Sequence, residues 1–375
     1  MNIPPAISHA PSRRQLLQAA AGLAAMPTLT ACESGDAEQG AARALRRPGP
    51  LSSDMAASPM HDLVRQAILA PSSHNTQCWR FRIAENSISI APDLKRRCPV
   101  VDPDDHHLFV SLGCATENLV HAALATGLHA DPHFDPGGDG SIMVRLETTQ
   151  ERTSPLFQAI AARQCTRGDY DGQPISPAEL RQLEKAGTGD GVTVRLLTAQ
   201  PAMENVLEYV VAANTAQMHD AAFVEELKAW IRFGSDEALR TGDGLFAGTT
   251  GNPVMPRWLG SRMMALFFKP KAENERYSRQ VRNSAGIAVF ISERSDKAHW
   301  VETGRCYERF ALQATALGIR NAFLNQPVEV GTIRPQFATW LGIGKGSQRP
   351  DLVVRFGRGP AMPLSMRRPV QDVLA

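Results

Sequence analysis

Apolar positions recur at helical spacing over residues 61–69, then alternate with polar ones through Phe81-Arg82-Ile83 and Ile88-Ser89-Ile90. That switch of period predicts a helix followed by a strand pair. Helical spacing returns over 108–128. It is preceded by Asp102-Pro103-Asp104-Asp105, whose acids suit the start of a helix. A second block opens near Ser154 with a short helix to Arg163 and a turn at 168–174. Ser176-Pro177-Ala178-Glu179 has the spacing of a capping box and predicts the next helix. Strands are predicted at 192–197, 288–291 and 352–356, with further helices after 197 and one over 303–318. The stretch 233–284, rich in glycine, proline and apolar clusters, reads as an insertion.

Two of these helices look like copies. SLGCATENLVHAALATGL (111–128) aligns with ETGRCYERFALQATALGI (302–319), matching Gly113 with Gly304, Glu117 with Glu308, Ala123 with Ala314, Ala125 with Ala316 and Gly127 with Gly318. Small residues on one face would let two helices approach closely whatever their origin. Matches in fixed register, each followed by an extended run, favour a duplication.

The 375 residues are 43% hydrophobic and 21% charged, a globular composition with room for two to three domains. A net charge of +2 offers no general attraction for nucleic acid, so an anion site has to come from local clusters. Ser12-Arg13-Arg14-Gln15-Leu16-Leu17 with the apolar stretch 19–26 is a twin-arginine export pattern. Leu29-Thr30-Ala31-Cys32 resembles a lipobox, which would make Cys32 a lipid anchor; the alternative is cleavage at a small-residue site beside an incidental cysteine. The expected organisation is a signal over 1–32, a tether over 33–58, and two blocks, 59–150 and 151–375. Export would place the protein in the periplasm or cell envelope. That route carries folded proteins, often around a cofactor loaded in the cytoplasm. Past the signal, no stretch approaches the ~18 consecutive apolar residues of a membrane-spanning helix. Cys78, Cys98, Cys114, Cys165 and Cys306 are odd in number and lack a C-x-x-C spacing, which argues against structural zinc. One or two disulfides are possible, with no pairing readable.

Candidate chemistry is concentrated in two places. APSSHNTQCWRF (70–81) sets Ser72, Ser73, His74, Asn75 and Gln77 between a helical lead-in and an aromatic run. Such a row either satisfies a helix end or faces a flat polar ligand. Arg163-Gln164-Cys165-Thr166-Arg167 places two guanidiniums four residues apart, able to converge on one phosphate or simply to favour a helix C-terminus. Arg367-Arg368 forms a second basic pair. The acids beside His106 and His107 are explained by helix capping, so no metal is predicted. GIGKGS (342–347) lacks the order of a phosphate loop, and no Ser-His-Asp arrangement stands out.

ILAPSSHNTQCWRF resembles the A-P-S-x-x-N-x-Q-P-W-x-F segment of the flavin-dependent nitroreductase superfamily. AIAARQCTRGDYDGQPISPAEL resembles its R-x-S-x-R opening segment, and WVETGRCYERFALQATALGIRNAFLNQPVE its central helix and following turn. The resemblance runs from about Met60 to the C-terminus and, with the export signal and doubled length, is nearest to the exported, fused Acg-like branch. It implies an α+β nitroreductase-like fold: two homologous halves forming an intramolecular pseudo-dimer around central sheets flanked by helices. One half carries the A-P-S-S segment and the other the arginine pair, so one complete FMN site would be shared between them. The resemblance would give Arg163 and Arg167 the FMN phosphate, with Gln164 and Cys165 beside it and Arg367 and Arg368 completing a cationic cup. Pro71, Ser72, Ser73, Asn75 and Gln77 would line the ring and ribityl chain, and Asn325, Gln326 and Pro327 the N5 edge. Three departures stand out: Cys165 for the usual Ser, Cys78 for the usual Pro, and His106-His107 where an Arg is common. The implied function is reduction of a small electron-poor molecule, with NAD(P)H as a donor that is doubtful outside the cytoplasm. The alternatives are a flavin-sequestering protein with 233–284 as a lid, or a scaffold that has lost flavin.

Overall fold

Two four-stranded antiparallel sheets carry the same strand order. The computed structural model describes residues 29–47, 59–344 and 346–375, with side chains from residue 37 onward. The twin-arginine pattern, the side chain of Cys32 and residues 48–58 lie outside them. Glu38–Ala375 forms one compact unit.

After α1 (Leu29–Ala44), the first half comprises α2 (Pro59–Ala67), β1 (Trp79–Ala84), β2 (Ser87–Pro92), α3 (His106–Ala125), β3 (Leu128–Phe134) and β4 (Ile142–Thr148). Next come α4 (Pro155–Ala159), α5 (Pro177–Ala186), β5 (Val192–Leu197), α6 (Gln200–His219), α7 (Ala221–Trp230), β6 (Ile231–Arg232), α8 (Ser235–Thr241), β7 (Leu245–Phe246), α9 (Arg257–Phe267) and α10 (Pro270–Arg282). The chain closes with β8 (Gly286–Ser292), α11 (Lys297–Ala316), β9 (Arg320–Phe323), α12 (Gln326–Glu329), α13 (Arg334–Trp340), β10 (Arg349–Gly357) and α14 (Val370–Val373).

The sheet orders are β1-β2-β4-β3 and β5-β8-β10-β9. Pairing β1 with β5, β2 with β8, β3 with β9, β4 with β10 and α3 with α11 maps one order onto the other. The duplication is therefore visible in topology as well as in sequence. Helices α3 and α11 meet where glycine is required. A Cβ at Gly113 would stand 2.0 Å from the Val301 carbonyl oxygen, and one at Gly304 would stand 1.9 Å from that of Val110. Shifting both members of one contact by 191 residues generates the other, as a pseudo-twofold axis between the helices demands. Helix α3 is apolar and long enough to cross a membrane, but it is the buried core helix of this packing.

Each half reaches into the other. Ala375 N–H donates to the Phe81 carbonyl at 2.8 Å and Leu374 bridges Phe81 in parallel, so the C-terminal tail extends the first sheet at β1.

Several sequence expectations change. The tether reading gives way over 38–46: this alanine-rich stretch suits a helix, Ala42 is buried, and Gln39 pairs its amide with the Leu364 backbone in both directions. Against the first half, the insertion spans 198–285, because β1 and β2 form a tight hairpin where β5 and β8 are separated by five helices. Helix α11 begins six residues before the predicted start, where Asp296 accepts from His299 N–H. Of the acids before α3, Asp102 alone does the capping, accepting from His107 and Leu108 N–H at 3.0 Å each. The capping box at Ser176 and Glu179 forms as predicted.

Adding one methyl at either glycine drives it into backbone, where nothing can move aside cheaply. Gly113→Ala and Gly304→Ala are each expected to cost about 3 kcal/mol. Because both force the same two helices apart, the double variant should cost clearly less than the sum. Urea unfolding midpoints measure this, and full additivity would contradict a shared interface.

Candidate active site

A cavity of about 600 Å³ lies where the loop after α2, the segment after α4, the insertion and the turn after β9 converge. It takes in Pro71, Ser72, Ser73 and Asn75 from the first half and Arg163, Cys165, Arg167, Asn325, Gln326 and Arg367 from the second. Gln77, Gln164, Pro327 and Arg368, also anticipated at the site, are not on its wall.

The loop is held in an unusual conformation. His74, Asn75 and Gln77 have φ of 48°, 54° and 53°, a left-handed run that costs energy in non-glycine residues. Their carboxamides offset this by binding backbone. Asn75 Nδ2 donates to the Gly244 carbonyl at 3.0 Å, Gln77 Nε2 donates to that of Gly242 at 2.8 Å, and Gln77 Oε1 accepts from Arg368 N–H at 2.8 Å. Arg367 completes the brace: its guanidinium donates to the carbonyls of Ile68, Leu69 and Ala70, to Asn75 Oδ1 and to Ser365 Oγ. Arg367 thus touches the cavity with its N–H groups already committed. Arg368 bonds the Asp372 carbonyl instead. Gln164 is occupied by the Met362 backbone. Pro327 is buried in α12.

The arginine pair divides in role. Arg163 is buried, with Nε 3.1 Å from Glu308 Oε1 and Nη2 donating to the Leu69 carbonyl at 2.8 Å, while Nη1 has no partner. Burial works against its charge, but Glu308 turns the net direction upward. Arg167 lines the cavity, half-buried, and its guanidinium has no ion pair or hydrogen bond among the described residues. The converging-anion reading fits Arg167 best. Cys78 does not face the cavity. It is buried in the core, where burial pushes its thiol up to about 12, and the five cysteines Cys78, Cys98, Cys114, Cys165 and Cys306 are all free.

Sequence reasoning treated His106 and His107 only as a departure at a helix start. In the structure they form a buried chain beside the cavity. His106 Nε2 lies 2.9 Å from Asp351 Oδ1, the two Nδ1 atoms are 3.4 Å apart, and His107 Nε2 lies 3.2 Å from Asn325 Nδ2. Asn325 Oδ1 accepts from Val353 N–H at 3.0 Å, which fixes the amide with Nδ2 toward His107. His107 Nε2 must then accept, leaving its proton on Nδ1, shared between His106 and Asp102. Burial disfavours a second proton on His107, whereas Asp102 and Glu329 attract one, and the balance is upward. The Asn325 donor is the group that resists it. Asp102, His106 and His107 are close enough to hold a metal, yet their nitrogens and oxygens are committed to these bonds. Arg355, Gln217, Glu329 and Tyr277 also line the cavity, and no local motif announces them.

Asn325→Leu removes the donor without adding charge, so it is expected to raise the His107 pKa by about one unit. Imidazole nitrogen shifts measured by NMR across pH report it, and an unchanged or lower pKa would contradict the assigned tautomer.

No family model matches the chain. It is 24% identical over 321 residues, 82% of this chain and 88% of the other, to the Mycobacterium tuberculosis protein named "Putative NAD(P)H nitroreductase Rv3131". It is 20% identical to "Putative NAD(P)H nitroreductase acg" of the same organism, over 83% of this chain and 93% of the other. Among solved structures it is similar to a nitroreductase with bound FMN from Desulfitobacterium hafniense (14% identity, 59% of this chain, 97% of that one, TM-score 0.36). It is also similar to the FMN-dependent nitroreductase NfnB from Mycobacterium smegmatis in complex with NADPH (13% identity, 55% and 87%, TM-score 0.35). Over more than four-fifths of its length the chain is thus similar to proteins named as nitroreductases, and the two motifs that carry the resemblance meet at one cavity.

Proposed function

We propose that the chain is an exported FMN-dependent oxidoreductase that reduces a small electron-poor organic molecule in this cavity. The observation that carries the reading is the union, on one cavity wall, of the serine-rich loop of the first half with an uncommitted arginine of the second. The wall has features that FMN would satisfy. Arg163 Nη1, Arg355 Nη1 and Gln326 Oε1 are buried there without partners, a state that costs about 1–3 kcal/mol per group. Two donors and an acceptor, with Arg167 nearby, match a phosphate and the polar edge of a flavin. About 600 Å³ is within the usual range for a cofactor site.

In this reading Arg167, aided by Arg163, holds the phosphate, while Ser72 and Ser73 border the ribityl chain and Gln326 accepts from the ring edge. FMN supplies the hydride chemistry when bound. Asn325, fixed by Val353 and His107, presents an amide of set orientation, and residues of the insertion cover part of the cavity. The relatives' name points to NAD(P)H as donor; an exported enzyme would draw on another. A second reading, flavin sequestration, is favoured by the insertion itself, since Phe233, Met255, Met263 and Phe267 all line the cavity and could bar a second substrate.

Purified protein is expected to be yellow, and Arg167→Ala should weaken FMN binding about tenfold or more, the loss of one charge-assisted contact. Arg368→Ala, off the cavity wall, serves as the control. Flavin titration measures both, and equal affinity for the Arg167 variant and wild type would remove the phosphate assignment. Anaerobic NADPH separates the two readings: bleaching of the yellow colour supports a reductase, and persistence supports sequestration or a different donor.

A further inference from the structure

Helix α9 does not bury its apolar residues. Trp258, Leu266 and Phe267 are 64%, 64% and 65% exposed, with Met263 beside them and Val254 just before the helix. Trp258, Arg262 and Leu266 follow one another at four-residue steps, and Met263 and Phe267 form the adjoining stripe, so the exposed face is continuous. The charge carried by this stretch of chain has one sign. From residue 244 to residue 272 the chain carries Arg257, Arg262, Lys269 and Lys271 and no Asp or Glu. Arg257 is paired with Glu237, whereas Arg262 lies over the Trp258 ring and Lys269 bonds a carbonyl. Met263 and Phe267 also line the cavity, so the cavity opens on this face.

We propose that this face of α9 docks on an anionic lipid bilayer, with the cavity opening held at the lipid surface. An apolar helix face bearing tryptophan and rimmed by cations is the composition that lies in a membrane interface, where anionic headgroups attract the basic rim. A second copy of the chain is disfavoured as occupant, because an isologous contact would set the same unbalanced cations against each other. The inference stands on the helix and its charges and does not depend on flavin binding.

The full chain with Cys32→Ser, which excludes any acyl anchor, is mixed with vesicles of phosphatidylglycerol and phosphatidylcholine or of phosphatidylcholine alone and sedimented. Binding is expected to the anionic vesicles, at least tenfold weaker to the neutral ones, and reversed by high salt. A Trp258→Ser, Leu266→Ser, Phe267→Ser variant and an Arg262→Glu, Lys269→Glu, Lys271→Glu variant should each lose binding tenfold or more. All six residues are on the surface, so circular dichroism and the thermal midpoint should be unchanged. Absence of binding to anionic vesicles would overturn the proposal, as would equal binding by either variant. Light scattering that shows a dimer abolished by the serine variant, without vesicle binding, would assign the face to self-association instead.

Discussion

The close approach of α3 and α11, backbone on backbone at Gly113 and Gly304, is the constraint that organises this molecule. It sets the two sheets about a common pseudo-twofold and brings equivalent residues of the two helices into different company. Glu117 and Glu308 occupy the same place in the duplicated sequence. Burial acts against the charge of Glu117, but His121, Arg309 and Arg305 hold it down to about 2. Burial of Glu308, only partly opposed by Arg163 and Arg367, pushes it up to about 7. One glutamate is thus absorbed into an ion-pair cluster between the helices. The other anchors Arg163, and through it the segment that carries Arg167 to the cavity.

The strained loop follows from the same arrangement. Three left-handed non-glycine residues in four positions would not persist in an isolated segment. They persist because contacts from distant parts of the chain converge on them: Gly242 and Gly244 of the insertion, and Met366 to Arg368 of the tail. The insertion is therefore more than a cover. It closes hydrogen bonds without which the loop bordering the cavity has no reason to keep its shape, so site and cover are one construction.

How much of this was legible in the sequence depended on how local its causes were. The box at Ser176 and the alternating strand Val192–Leu197 are set by neighbours in sequence, and both were read correctly. The extended run after each copied helix was anticipated, but β4 was not placed, because Asp135 to Gly140 breaks the pattern before it. The two site motifs were found by resemblance, and the structure brings them together. Individual roles were harder. Gln77 has the residue type of a ring contact, yet it is fully buried and spent on Gly242; Arg367 looked like a phosphate ligand and is spent on six oxygens. Side-chain chemistry identifies what a residue can donate, while only the fold shows what has already claimed it. His107 was the converse case, read only as a departure at a helix start, and it lines the cavity beside Asn325.

The two halves differ at the loop that enters the first strand of each. Before β1 that loop carries Pro71 to Gln77 and borders the cavity. Before β5 it is Gly187 to Gly191, with no carboxamide or serine. It packs hard on α11: a Cβ at Gly189 would meet Glu302 Oε1 at 2.3 Å and Cys306 Sγ at 2.6 Å. Glu302 in turn ties Arg305 and Arg309 into the cluster around Glu117. On this side the two halves are joined by charge pairing. The result is a single chain in which one half supplies the loop and the other the arginines that line this cavity.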